Sequence, residues 1–234
     1  MLNFFLRKKA DQFLKTVEET IIPNNKQAVR KGELGEYKID LQLSQFPKNY
    51  RYLSDLLIKN PKSFTGYSQI DNVLISPFGI FVIESKNYQG TVYGGKTRKT
   101  WSVNGKFNVG NPLAQNYGHI RALAACLDEK YENLFISIIA FTKRSRVKVE
   151  PELRKITSNE LVIYDIELTE FIKRKEASNK SESKLPLLYD NEIEEAFRSF
   201  TEANIVDLEI KGKHVSEIAK KKSNSVTRFG SRQF

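Results

Sequence analysis

The sequence predicts a mixed α/β domain with helical appendages, and three stretches predict it. Residues 69–86 place two Ile/Val/Phe-rich runs around a turn, Asn111-Pro112 opens an amphipathic helix, and Leu134–Thr142 is an apolar run of strand length soon after that helix.

The hairpin is the most informative. Ser76-Pro77-Phe78-Gly79 fits a type I turn, with Ser first, Pro second with its φ already set, and Gly fourth. With Ile75 and Ile80 as the closing pair, Val73 faces Val82, Asp71 faces Glu84 and Gln69 faces Lys86. Directly opposed residues have Cβ atoms about 5 Å apart, and like charges so placed repel unless a cation lies between them. The period of two along a strand puts Lys86 on the same face as Glu84. Two carboxylates and an ammonium suit Mg²⁺ or Mn²⁺, hard ions that take one or two carboxylates, keep several waters and bind phosphate directly. Lys86 then orients or deprotonates an attacking water, or steadies charge developing on phosphorus. A three-residue loop with a bulge at Gly79 shifts the register by one and turns Glu84 to the other face. Patterning does not choose between the two, because both faces of these strands are apolar. The plain alternative is a buried hairpin with an edge Asp and a Glu–Lys surface pair.

Length and composition suit a full core. With 234 residues, 40% hydrophobic and 28% charged, folding buries roughly 70–75% of the extended surface. The net charge of +10 favours a polyanionic partner, either nucleic acid or an anionic membrane surface. A single cysteine, Cys126, excludes an intrachain disulfide framework and a thiolate zinc site, and is expected as a small buried apolar side chain. The opening Met1–Lys9 has too short an apolar core for a signal peptide, and the run Leu134–Phe141 is far below the roughly 20 residues of a membrane span. A cytoplasmic protein without a transmembrane segment is expected.

In chain order, residues 1–25 read as an amphipathic helix ended at Pro23. Lys31–Leu43 follows as a helix on which Glu33, Glu36 and Asp40 share a face. Tyr50–Ile58 is a first strand, and the hairpin comes next. Lys96–Val103 is a short basic strand in which Lys96, Arg98 and Lys99 are candidate nucleic-acid contacts and Trp101 is expected in the core. In the helix opened by Asn111 as N-cap and Pro112 at N1, Leu113, Tyr117, Ile120 and Leu127 form an apolar stripe, whereas Gln115 and His119 lie one turn apart on a second face. Lys143, Arg144 and Arg146 follow a buried strand, where open α/β sheets meet ligands; they are candidate phosphate contacts, with a solvated charge run as the alternative. Leu161–Tyr164 is a strand and Leu168–Lys175 a helix. Residues 176–184, rich in Ser and Lys, read as a linker. Residues 185–222 read as a helical extension and 223–234 as a disordered basic tail.

Gly35-Glu36 on an early helix, Gln69-Ile70-Asp71 on a strand, Gly79 through Glu84-Ser85-Lys86 on the next, Asn87-Tyr88-Gln89-Gly90 after it, Trp101, and Asn111-Pro112 through Gln115 and His119 together resemble the nuclease-related domain, NERD. That family is a branch of the PD-(D/E)XK restriction-endonuclease-like superfamily. The resemblance covers residues 30–128. It implies a restriction-endonuclease-like α/β/α core around a small mixed β-sheet, in a domain spanning 26–175, and divalent-metal-dependent phosphodiester cleavage. Carried over by position, Asp71 and Glu84 are metal ligands with Glu36 as an accessory acid, Lys86 positions or activates water, and Gln115 lines the site. Asp71, Glu84 and Lys86 also follow from the hairpin alone; Glu36 and Gln115 rest on the resemblance. The expected function is a Mg²⁺- or Mn²⁺-dependent nuclease in DNA processing, acting on DNA rather than RNA, with a homodimer left open. Two alternatives stand beside it. One is a nucleic-acid-binding module that does not cut; the other is a peripheral membrane-surface protein using residues 1–22 and Lys220–Lys222 on anionic lipid.

Overall fold

The computed structural model describes residues 37–230, with side chains as far as Lys221. A short helix at 37–43 (α1) precedes a five-stranded central sheet in the order β1 (Arg51–Lys59), β2 (Tyr67–Ser76), β3 (Gly79–Lys86), β7 (Phe135–Phe141) and β9 (Glu160–Tyr164). Strands β1 to β3 run antiparallel, whereas β3, β7 and β9 run parallel. Between β3 and β7 the chain makes β4 (Gly90–Tyr93), β5 (Thr100–Val103), β6 (Phe107–Gly110) and helix α2 (Pro112–Ala124). Strand β4 also pairs with β8 (Ser145–Lys148), giving a second sheet in the order β6-β5-β4-β8.

The hairpin register is the one expected from a tight Ser76–Gly79 turn: Ile75 pairs with Ile80 and Val73 with Val82. A bulge at Gly79 is therefore excluded. Gly79 has φ +153°, and a Cβ there would lie 2.6 Å from Cδ1 of Ile136 on β7. A side chain there would be strained by the backbone angle and would displace the tip of Ile136, both of which glycine avoids.

Alternation along β2 and β3 sends their side chains to two layers. Val73, Ile75, Ile80 and Val82 pack with Ala122 and Leu123 of α2 and with Ile193, Ala196 and Phe200 of helix α4 (Asp190–Ala203). Leu74, Phe81 and Ile83 face the other way, against Ile39 and Leu43 of α1 and Phe171 and Ile172 of helix α3 (Leu168–Ser183). Helices thus cover both faces of a small mixed sheet, the α/β/α layering expected. A third cluster joins the two sheets. Trp101, 1% exposed, stacks on Phe141 of β7 with centroids 6.1 Å apart and planes 6° apart, so Trp101 is a core residue as expected. Cys126 is only half-buried, at the margin of the α2 layer.

Two segments differ from expectation. Residues 176–184 are not a linker: α3 continues to Ser183 and ends with Lys184 in a left-handed conformation. The residues that turn inward there are polar. Lys175 and Glu176 are buried, and Asn179 donates to the Phe78 carbonyl at 2.8 Å, so no apolar stripe advertises the packing. The final helix, α5 (Leu208–Gly230), continues through residues expected to begin a disordered tail; nothing between Lys222 and Gly230 breaks a helix. The N-terminal helix expected over 1–25 and residues 231–234 lie outside the described residues.

Glu176 also imposes a pH dependence. Its Oε2 accepts the Tyr50 hydroxyl at 3.3 Å, and burial pushes its carboxyl above the ordinary range by more than that bond offsets. Burial and the same carboxylate push Tyr50 up to about 12. The folded state therefore holds the Glu176 proton to higher pH than the unfolded chain. This contribution to stability is intact below the unfolded carboxyl pKa and falls as pH rises through the folded value. Glu176→Gln keeps the neutral form. Thermal unfolding at a series of pH values should show the variant gaining on the parent from acid toward neutral pH; parallel curves for the two proteins would refute the assignment.

Candidate functional site

Asp71, Glu84 and Lys86 meet where the hairpin ladder ends. Pairing of β2 with β3 extends from the turn to Asn72 and Ile83, and pairing of β1 with β2 skips Asp55 and Asp71, where Asp55 takes a φ of 55°. Asp71 thus sits in a gap in both ladders. Its Oδ2 accepts the Ser85 N–H at 2.7 Å, so the carboxylate does for β3 what a neighbouring strand's carbonyl would otherwise do.

Glu84 is 4% exposed. Its Oε1 accepts from Lys86 Nζ at 2.5 Å and from Gln115 Nε2 at 2.8 Å, and Lys86 Nζ donates in turn to Gln115 Oε1 at 3.0 Å. The three side chains close a ring. His119 Nδ1 stands 3.3 Å from Glu84 Oε2. The pair lacks hydrogen-bond alignment, and neither atom has a hydrogen-bond partner among the described residues. Burial pushes the Glu84 carboxyl up, but Lys86 and His119 together outweigh it and hold the group below the ordinary carboxylate range. Burial likewise pushes Lys86 down, and the charge of Glu84, with smaller parts from Tyr88 and Asp71, outweighs it and holds the ammonium above its usual value. The pair is charged on both sides at neutral pH.

Helix α2 brings Gln115 and His119 to this point. Asn111 caps it by accepting the Leu113 N–H at 2.9 Å, and Pro112 supplies a preset first turn. Asn116, fully buried, donates to the Val82 carbonyl at 2.9 Å and to Ser137 Oγ at 2.8 Å. That anchor fixes the rotation of the helix against β3 and β7, so that Gln115 and His119 face Glu84.

The basic residues form two exposed groups. Lys143, Arg144 and Arg146 line an open groove of about 510 Å³ together with Gly90, Thr91 and Tyr164. Arg144 donates to Asn87 Oδ1 at 3.4 Å and to Gln89 Oε1 at 2.6 Å, which ties this loop to the residues just after Lys86. Lys96, Arg98 and Lys99 lie on the β4–β5 loop. Asn111 Nδ2 clamps that loop through the carbonyls of Gly95, Lys96 and Arg98 at 3.3, 3.2 and 2.8 Å, while the Lys96 ammonium pairs with Glu160.

The structure therefore gathers Asp71, Glu84, Lys86 and Gln115, whereas Glu36 lies outside the described residues. His119 stands beside Glu84 with them; the sequence signals this only by its one-turn spacing from Gln115 and its place in the family resemblance. Among the described residues no three His, Cys, Asp or Glu side chains cluster as a metal-binding group.

Asn111 serves the cap through its oxygen and the loop through its nitrogen, and two variants separate these roles. Asn111→Asp keeps the cap acceptor but sets a carboxylate against three carbonyls; Asn111→Ala loses both. Each should lower unfolding stability by about 1–3 kcal/mol, measured by chemical denaturation. Parental stability in Asn111→Asp would show that the clamp contributes nothing.

Comparison with known proteins places this site in a family context. Residues 31–142 match the family model described as "Nuclease-related domain". An uncharacterized Bacillus anthracis protein is 29% identical over 195 residues, covering 82% of this chain and 85% of that protein. That similarity necessarily extends past residue 142 into the C-terminal half. No solved structure matches the chain.

Proposed function

We propose, from the match of residues 31–142 to the nuclease-related domain model, that this chain is a divalent-metal-dependent nuclease that hydrolyses phosphodiester bonds, in DNA rather than RNA. One observation carries the reading: a buried, charged Glu84, held by Lys86 and Gln115 through one oxygen, makes no hydrogen bond with its other oxygen among the described residues and faces His119 Nδ1 there at 3.3 Å, while Asp71 is bonded to the backbone of the next residue, Ser85. A buried carboxylate oxygen left this way is costly, and a hard cation satisfies it. The donor set therefore fits Mg²⁺ or Mn²⁺.

Asp71 and Glu84 would hold the ion, with Glu36 as an accessory ligand. Bound there, it would supply Lewis-acid polarisation of the phosphate. The chain's own residues do the rest. Lys86, oriented by Glu84 and Gln115, places its ammonium where it can position the attacking water and stabilise negative charge developing on phosphorus. His119 backs Glu84 from the side away from Lys86 and so fixes the carboxylate plane. Lys143, Arg144 and Arg146 in their groove, with Lys96, Arg98 and Lys99, supply phosphate contacts without base readout. Among the described residues no helix is long and apolar enough to cross a membrane.

The test compares the parent with Asp71→Asn, Glu84→Gln and Lys86→Ala, each shown to be folded, on labelled single- and double-stranded DNA and RNA with Mg²⁺, Mn²⁺ or EDTA. Metal-dependent cutting present in the parent and reduced at least about 100-fold in each variant is expected. Equal cutting by all four exposes a contaminant, and binding without cutting replaces the enzyme by a binding module. The basic groove has its own readout. Replacing Arg144 and Arg146 by Ala should weaken nucleic-acid binding and lower the slope of log affinity against log salt by about one for each phosphate no longer neutralised; an unchanged slope removes the groove from the interface.

A further inference from the structure

The loop joining β1 to β2 carries a large exposed ring beside the site. Phe64 is 64% exposed, and Lys221 Nζ of α5 sits 4.4 Å from its ring centroid. One exposed phenylalanine is ordinary on a protein surface. This one is mounted on a loop pinned from two sides. Asn60 Nδ2 donates to the Gly118 carbonyl at 3.4 Å, on the turn of α2 that carries His119. Thr65 Oγ1 bonds His214 Nδ1 of α5 at 2.8 Å, and His214, 6% exposed, meets Tyr67 edge-on with centroids 6.4 Å apart.

Position gives the ring its meaning. The loop leaves β1 and enters β2 at the end of the sheet where β3 delivers Glu84 and Lys86, and the basic groove of Arg144 and Arg146 follows β7 at that same end. The strand order β1-β2-β3-β7 sets Phe64 on one flank of the site and the groove on the other. Lys62, two residues before the ring, and Lys59 at the end of β1 are exposed, as is Lys221 over the ring; the acidic residues of that helix are Glu209 and Glu217, the latter one turn before Lys221. A polyanion crossing the site from the groove would next meet an exposed aromatic ring with one face under the Lys221 ammonium and the other open to a base. That is the composition of a stacking platform for single-stranded nucleic acid, where bases lie on aromatic rings and lysines follow the backbone. Duplex bases keep their faces stacked on each other and have none to offer.

We infer that Phe64 receives an unpaired base of the nucleic acid bound at the Glu84–Lys86 site, which makes a single-stranded or locally unpaired segment the preferred substrate. The inference rests on the nuclease reading for the identity of the polymer. Half of the platform, His214 and Lys221, comes from α5, beyond the segment that matches the family.

The test measures binding by fluorescence anisotropy with the full chain in EDTA, so that cleavage plays no part. The probes are a labelled mixed-sequence DNA oligonucleotide as a single strand and as a blunt duplex. Phe64→Ala should weaken single-strand binding by about 5- to 100-fold and leave duplex binding nearly unchanged, and Phe64→Trp should restore it. Phe64 is exposed, and the retained duplex affinity reports that the variant is folded. Equal losses on both probes, or no loss on the single strand, overturn the platform. If single-strand binding depends on Phe64 but the parent cuts nothing with metal, the nuclease reading fails and the platform stands. If the parent cuts and single-strand binding ignores Phe64, the platform alone fails.

Discussion

A carboxylate with 4% exposure has to be paired, and the arrangement around Glu84 follows from that requirement. The partner nearest in sequence is Lys86, two residues on and therefore on the same face of β3. Its ammonium has donors to spare, and Gln115 closes the ring by accepting from Lys86 while donating to Glu84. This works only if α2 lies along β3 at one rotation, which the buried bonds of Asn116 to Val82 and Ser137 enforce. The contacts that make burial of the charge tolerable are thus the contacts that set the geometry of the site. Removing Lys86 would take from the buried Glu84 its ammonium partner and leave only Gln115 and His119 beside it, so part of the fold's stability rests on the same residue.

Much of this is legible in the sequence, and the legible part is local. Ser76-Pro77-Phe78-Gly79 defines a turn, the turn defines the register, and the register puts Glu84 and Lys86 on one face. Asn111-Pro112 defines where α2 begins, and its spacing sets Gln115 beside His119. What stays hidden depends on residues far apart in the chain. The kink at Asp55 that opens a gap beside Asp71 has no signature in the run Arg51–Lys59. His119 reads as a surface histidine until α2 is laid against β3. Residues 176–184 read as a linker because Lys175, Glu176 and Asn179 pack inward as polar groups whose partners, where the structure pairs them, are Thr157, Tyr50 and Phe78. Composition treats such groups as solvent-facing, and only their distant partners show otherwise.

The C-terminal half is more than an addition to the matched domain. Helix α4 supplies Ile193, Ala196 and Phe200 to the same layer as α2, so the face of the sheet that carries Glu84 is completed by residues beyond 142. Helix α5 holds the β1–β2 loop and, through Lys211, bonds Asp55 at the kink opposite Asp71, with Nζ 2.9 Å from Oδ2. The similarity to the Bacillus anthracis protein extends into this half as well.

The stack of Trp101 on Phe141 has a consequence for how a substrate is received. Those rings belong to different sheets yet share one packed cluster with Val92, Leu113, Ile139 and Val162, and close-packed interiors do not slide. The small sheet with its basic loops and the central sheet with its carboxylates are thus packed together through one shared cluster. A clamp that closes on its ligand spends binding energy on ordering itself, whereas a preformed frame leaves that cost to the guest. On the nuclease reading proposed above, the adjustment would fall to the nucleic acid rather than to this frame.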